Sequence, residues 1–521
     1  MSITQDHPDS LARLETIKTS NAKTLGHLRL RHAETNEIIL VPTPSSDPKD
    51  PLNWPRWFKL YTAVAVCFAM ILCNFLAAGP TLAILETAQD FFPDWMETGM
   101  ASPIAKTAYF FSTTALFQGL GNLLWMPLIN KYGRRPVYVV SFTLYTITAI
   151  WCAVGKGYAS FLVARIVMGF AAGAGEYPRL YNASLNLGVA AGAIIDGFIV
   201  KDHPWRYIYY VAIALIGSAT LIVYVTFPET AFIRKPTSGD RITTLTASNE
   251  RIRRATKGEE AAQSEILEVV SNESAQNRGW LKQGLKLYHG TYTDESIWKM
   301  AIRPVGLLVL PPVLWATLVM SVTIGFIVAV TSNVSSAFNT AYGFDAWQSG
   351  LCFFSAIIGA LIGILLGGNF SDWVADYFTR RNGGIREPEM RLPAIMIGAI
   401  TGPLALALYG CGIHWNMHWI VPTIGIGLLY TIDSYRPVAG EVVVTQLAFK
   451  SAFGFLLGFY TNPWVDKDGY NVAYGEMAAI CGAILMLWVP FFIWGKQIRE
   501  KTLSWSVMGW VQWDTDREVG E

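Results

Sequence analysis

The sequence predicts an all-α integral membrane protein built as two six-helix bundles. Three observations carry this. The chain of 521 residues is 52% hydrophobic and only 15% charged, its apolar runs fall into two sets of six, and basic residues recur on alternate connecting loops. Soluble domains carry roughly 25% charged residues, so this chain is short of the polar surface that a soluble protein of its size needs. Its mean hydropathy is +0.33. A net charge of +1 gives no reason to expect nucleic acid as a partner. The six cysteines lie in or beside apolar runs and form no CxxC pair, which suggests neither a metal site nor a disulfide framework.

A helix that crosses lipid needs about 20 apolar residues. The first set of runs is 60–85, 106–128, 137–155, 159–177, 181–200 and 205–227, here spans 1 to 6. The second is 305–330, 347–369, 392–412, 419–432, 442–460 and 477–495, spans 7 to 12. The expected organisation is a polar tail (1–56), a first bundle (57–228), a charged linker (229–303), a second bundle (304–496) and a second tail (497–521). The tail at 1–56 has no apolar h-region, so span 1 is expected to act as the insertion signal. Two places look short. Tyr177-Pro-Arg-Leu180 is almost all that joins spans 4 and 5, and the run of span 10 has 14 residues.

Orientation follows from lysine and arginine in short loops. The loop after span 1 holds Glu86, Asp90, Asp94 and Glu97 and no basic residue before Lys106, whereas the next holds Lys131, Arg134 and Arg135. In the second set, 332–346 is free of basic residues, 376–391 holds Arg380, Arg381, Arg386 and Arg391, and the final tail begins with Lys496, Arg499 and Lys501. Both termini and the linker are therefore expected in the cytosol. Asn333-Val-Ser335 falls in an expected outside loop and is a glycosylation candidate.

The loop between spans 2 and 3 reads Gly121-Asn-Leu-Leu-Trp-Met-Pro-Leu-Ile-Asn130-Lys131-Tyr-Gly133-Arg134-Arg135-Pro136. It resembles the signature G-x-L-x-D-R-x-G-R-R-x of the major facilitator superfamily, with Asn130 where the family usually has Asp and Met126 where it usually has Gly. Span 4 carries Arg165-Ile-Val-Met-Gly169, similar to the family's R-x-x-x-G. Span 5 carries Gly188-Val-Ala-Ala-Gly192-Ala193-Ile-Ile-Asp196-Gly197, which resembles the antiporter pattern with Ala193 for Pro and Asp196 for Gly. Pro42 to Pro55, Phe227-Pro-Glu-Thr230, Arg381 to Pro393 and Asp433-Ser-Tyr-Arg-Pro-Val-Ala-Gly-Glu441 resemble the fungal drug:proton antiporter branch. The resemblance implies the major facilitator fold, two bundles related by a pseudo-two-fold axis, with spans 4/5 and 10 shortened. It implies a plasma-membrane transporter, expected as a monomer, that moves a small organic molecule by alternating access.

Charged groups inside a bilayer are functional candidates by default. Asp196, Glu176, Arg165 and Lys450 qualify, and the intramembrane amides Asn74, Gln118 and Asn122 are candidates for a polar cavity. Tyr109, Trp125, Trp315 and Tyr435 are aromatics suited to a flat or cationic compound. Asn130, Lys131, Gly133, Arg134 and Arg135 are expected to form a cytosolic gate, the arginines pairing with Asp433 or Glu441 of the second half. No phosphate-binding G-x-x-x-x-G-K-[ST] loop supports ATP-driven pumping, and no HExxH, GxSxG or paired-carboxylate pattern suggests an enzyme. No cofactor is implied. The leading expectation is proton-coupled efflux. The alternatives are uptake of an organic cation, proton-coupled or facilitated, and a membrane sensor that has lost the transport cycle.

Overall fold

The computed structural model describes residues 50–94, 101–175, 181–232, 286, 288, 290–382, 387–434, 442–503 and 505. Within these residues every regular element is helical. Lipid offers no partner to a backbone amide, so apolar segments satisfy their own hydrogen bonds by forming helices.

The first half runs through Arg56–Ala78, Ala101–Tyr132, Arg134–Val154, Tyr158–Ala172, Tyr181–Asp202 and Tyr207–Thr226. The second runs through Pro311–Tyr342, Phe354–Arg381 with a short lead-in at Ala346–Leu351, Ile395–His414 and Ile420–Ser434. It ends with Val442–Met486, which is two helices meeting at Gly469 (φ 79°), and Trp488–Leu503. In the first half span 1 packs on span 5, span 2 on span 4, and span 3 on span 6. The second half repeats this pairing: span 7 on 11, span 8 on 10, and span 9 on the helix after Gly469. That repetition is the pseudo-two-fold relation expected from the sequence.

Seven helical stretches are long and apolar enough to cross a membrane among the described residues, and two apolar helices, Tyr158–Ala172 and Ile420–Thr431, are shorter. The helices of spans 4 and 10 each have 15 residues. At 1.5 Å per residue each rises only about 22 Å against a hydrocarbon core of about 30 Å. Among the described residues, which break off after Gly175 and Ser434, these two helices are as short as the sequence suggests.

Three features depart from the expected boundaries. Span 1 breaks into a 3-10 turn at Gly79–Ala83 before a separate helix, Ile84–Phe91, that carries Glu86 and Asp90. Span 7 continues to Tyr342, so most of the expected outside loop at 332–346 is helix. The end of the charged linker folds into a helix, Ile297–Leu307, which the polarity of the segment concealed.

The halves meet along spans 2 and 11 and along spans 5 and 8. Tyr109 stacks on Phe459 with centroids 5.6 Å apart. Gly119 faces span 11 so closely that a Cβ there would lie 2.3 Å from the Ser451 side chain and 2.7 Å from the Leu447 carbonyl. Across the other seam, the Ala346 and Trp347 backbone lies against Gly197. Ser335 Oγ donates to the Leu82 carbonyl at 3.3 Å, tying span 7 to the turn in span 1.

Candidate functional site: a buried charge pair and an interlocked loop

Span 1 sets up the intramembrane site. Pro80 has no N–H, so Leu76 loses the donor that would normally bond its carbonyl four residues on. Arg165 of span 4 supplies one: its Nη1 donates to Leu76 O at 2.8 Å. Its Nε donates to Phe110 O at 3.2 Å, its guanidinium lies 5.4 Å from the Phe111 ring centroid, and its side chain is fully buried. Span 4 can bring the arginine this close because Gly169 sits where a Cβ would come within 2.2 Å of the Thr114 carbonyl.

Asp196 lies one turn beyond Gly192, whose missing side chain lets span 5 settle on Phe75 of span 1. The residue is completely buried, and neither carboxylate oxygen has a hydrogen-bond partner. Arg165 is the cation whose field acts on it, and Arg165 Nη2 is also without a hydrogen-bond partner. The structure therefore buries two sequence candidates, Arg165 and Asp196, within electrostatic reach of each other and with no hydrogen bond between them.

The amides form a hydrogen-bonded chain between spans 1 and 2. Gln118 Nε2 donates to Asn74 Oδ1 at 3.2 Å, Asn74 Nδ2 to Met70 O at 2.9 Å, and Asn122 Nδ2 to Gln118 O at 3.2 Å. Lys450 is buried in span 11 next to Ser451, at the seam with span 2. Trp125 Nε1 donates to Phe170 O, and Trp315 Nε1 to Ile484 O while its ring stacks on Phe491. These two tryptophans serve helix packing. Glu176, Tyr435 and Glu441 lie outside the described residues, as does the side chain of Asp433.

The loop between spans 2 and 3 is the second site. Gly133 adopts φ 94°, a conformation in which a Cβ would strike Glu229 Oε2 at 2.5 Å. The turn delivers the first amides of span 3 to the carboxylate of Glu229, just past span 6. Oε1 accepts from Arg134 N at 3.0 Å and Oε2 from Arg135 N at 3.1 Å. Oε1 also accepts from Thr230 N and Ala231 N, both at 2.9 Å. A carboxylate here offsets the positive end of the span 3 helix. The reverse arrangement holds at the end of span 6, where Arg135 Nη1 and Nη2 donate to the carbonyls of Phe227 and Tyr224 at 2.6 and 2.8 Å. Arg134 Nη1 reaches Thr230 Oγ1 at 3.1 Å.

The expectation paired these arginines with Asp433 or Glu441 across the halves. Glu441 and the Asp433 side chain lie outside the described residues; among those described, the arginines engage the stretch 224–230 that follows span 6. The end of the linker is held through Lys131, whose Nζ donates to Glu295 O at 3.1 Å and whose carbonyl accepts from Tyr292 N at 2.8 Å. The Tyr292 phenol is pushed up to about 12 by burial and then by the charge of Glu229. Asn130 is half-buried in the last turn of span 2. Glu229 was not among the sequence candidates, although the Phe227-Pro-Glu-Thr230 motif that contains it was singled out.

Asn333 requires a correction. It lies inside the span 7 helix, buried, with Nδ2 donating to Asn462 Oδ1 of span 11 at 2.8 Å. A glycosylation sequon must be exposed to be modified, and this one is locked into a helix interface.

The sequence model of the Major Facilitator Superfamily matches residues 64–176 and 180–443, interrupted at the short junction of spans 4 and 5. The MFS-type transporter penM of Penicillium rubens is 25% identical over 485 residues, covering 87% of this chain and 88% of its own. Protein HOL1 of Saccharomyces cerevisiae is 23% identical over 587 residues, covering 96% and 97%. Among solved structures, the inward-open xylose transporter XylE from E. coli superposes with a TM-score of 0.52 at 14% identity, covering 83% of this chain and 96% of that one. The twelve-span arrangement, the interlocked loop between spans 2 and 3, and a family match across both halves lead to one conclusion: the chain is a multi-pass membrane transporter belonging to the Major Facilitator Superfamily.

Proposed function

We propose that the chain exports a small organic compound by alternating access, exchanging it for protons at Asp196. The observation that carries this reading is the Asp196 carboxylate, fully buried with both oxygens unbonded beside Arg165. An ionised carboxylate left without hydrogen bonds in apolar surroundings is costly, so at this point of the cycle the group calls for a proton or a cation. Rocking the halves about the seams of spans 2/11 and 5/8 changes what Asp196 and Arg165 face. That change couples proton binding to access. In this reading the termini and the linker face the cytosol and the loop around Gly133 is the gate on that side. The protein works as a monomer in the plasma membrane.

The test is flux in vesicles reconstituted with the full chain, using a panel of toxic organic compounds first identified by cell survival. Accumulation that depends on an imposed pH gradient supports the proposal. Equal accumulation with and without the gradient overturns the coupling. A second reading, a sensor that no longer transports, is favoured by the 15-residue helices of spans 4 and 10. A correctly folded protein that moves none of the compounds that it binds would select it.

A further inference from the structure

The helix Ile297–Leu307 has two unlike faces. Arg303 and Met300 are buried against the protein. Arg303 Nη2 pairs with Glu295 Oε2 at 3.1 Å, with both side chains less than a tenth exposed. Through Glu295 and Tyr292 this face grips Lys131 of the loop between spans 2 and 3. The other face carries Trp298, Ile302 and Val305, which are 72%, 50% and 49% exposed. Val309, in the turn that follows, is 54% exposed. At 3.6 residues per turn these four positions fall within an arc of roughly 60°, opposite Met300 and Arg303.

From this we infer that Ile297–Leu307 is an interfacial helix: Trp298, Ile302 and Val305 seat it in the bilayer leaflet on the side of the Gly133 loop, while its inner face holds Lys131. Lipid is the occupant for three reasons. The stripe leads straight into span 7, which begins at Pro311 and whose Leu314 is 41% exposed, so the apolar surface is continuous with one that faces lipid. A large exposed tryptophan at the end of an apolar stripe suits the headgroup level, where its ring is apolar and its N–H is wet. The charged Arg303 is turned away from the stripe and buried, as an in-plane helix requires. The leaflet is the cytosolic one under the orientation proposed above, but seating in lipid does not depend on substrate, direction or proton coupling.

The consequence is a mechanical link. The helix joins the first turn of span 7 to the loop at the foot of spans 2 and 3, so the bilayer surface becomes one of the supports on which the halves rock.

The test uses the full chain in proteoliposomes. Single cysteines replace Trp298, Ile302, Val305 or, as a control, the exposed Asp294, in a background with the partly exposed Cys67 and Cys411 changed to serine. Each carries an environment-sensitive fluorophore, quenched in turn by nitroxide-bearing lipid and by aqueous iodide. The inference expects probes at 298, 302 and 305 to be quenched several-fold more by the lipid nitroxide than the probe at 294, and less by iodide. Strong iodide quenching at all four positions overturns it. Protection from both quenchers also overturns it, because a protein partner then covers the stripe. Neither readout requires transport, so a failed flux assay leaves this result standing and a failed quenching assay leaves the transport reading untouched.

Discussion

Replacing Glu229 with glutamine tests whether this carboxylate organises the loop between spans 2 and 3. Four backbone N–H groups converge on it, at 2.9 to 3.1 Å. Two belong to the first turn of span 3, where no intrahelical carbonyl can accept them. Glutamine keeps one oxygen and turns an NH2 toward the remaining donor. In the better rotamer the Arg135 amide is orphaned, which costs about 1–3 kcal/mol, and three charge-assisted bonds become neutral ones, weakening each by about 1 kcal/mol. Loss of the charge at the helix end removes up to about 2 kcal/mol more. Glu229 is 7% exposed, so water replaces little of this. Together these terms come to about 4–8 kcal/mol. For a unit the size of one six-helix half, roughly 2–4 °C per kcal/mol puts the fall in melting temperature at about 8 °C or more. Thermal unfolding of the purified protein in detergent, followed by loss of the monodisperse peak, reads this directly. A Glu229→Gln protein that melts within about 1 °C of the parent would refute the reasoning and leave the four contacts without energetic weight.

Other consequences can be checked in parallel. Asp196→Asn should still exchange substrate across vesicle membranes but lose its response to a pH gradient, and gradient-driven accumulation at the parent level would make Asp196 structural. Glycosidase treatment should shift the electrophoretic mobility of neither the parent nor Asn333→Gln, since Asn333 is buried in a helix interface; a shift of the parent alone would contradict the assignment. Arg303→Met should destabilise by about 3–5 kcal/mol by leaving Glu295 buried without its cation. Adding Glu295→Gln should recover part of the loss in the same melting assay. Gly119→Leu should force spans 2 and 11 apart, because even a Cβ there lies 2.3 Å from Ser451. Its signature is increased labelling of a cysteine placed at Phe459 from the side on which Tyr109 covers it, and unchanged labelling would show that the seam yields locally.

The fold was legible because its cause is written in composition: a span announces itself by an unbroken apolar run, and a charge inside the run announces itself by interrupting it. Arg165 and Asp196 were found that way. Glu229 was not, since its task depends on amides 95 and 94 positions earlier in the chain, and no local pattern links a carboxylate past span 6 to the start of span 3. Asn333 was misread because Thr331, Ser332 and Asn333 looked like the end of a run. Inside the bundle Thr331 and Ser332 donate to the carbonyls of Ile327 and Ala329, Asn333 donates to Asn462, and the helix continues. The helix Ile297–Leu307 did leave a signal, apolar residues at 298, 302 and 305, diluted by the charged segment that precedes it.

Pro80 gives span 1 a property that a continuous helix lacks. In an intact helix a carbonyl and its donor belong to the same rod and move together. Here the Leu76 carbonyl is served by a side chain from another rod, so the bond between them is a clasp that can be undone without unwinding a turn. The guanidinium that fastens it also faces the field of Asp196, so a gain or loss of charge at the carboxylate alters the pull on the clasp. Under the proposed coupling, a joint in the backbone of one helix would answer to a single proton on another.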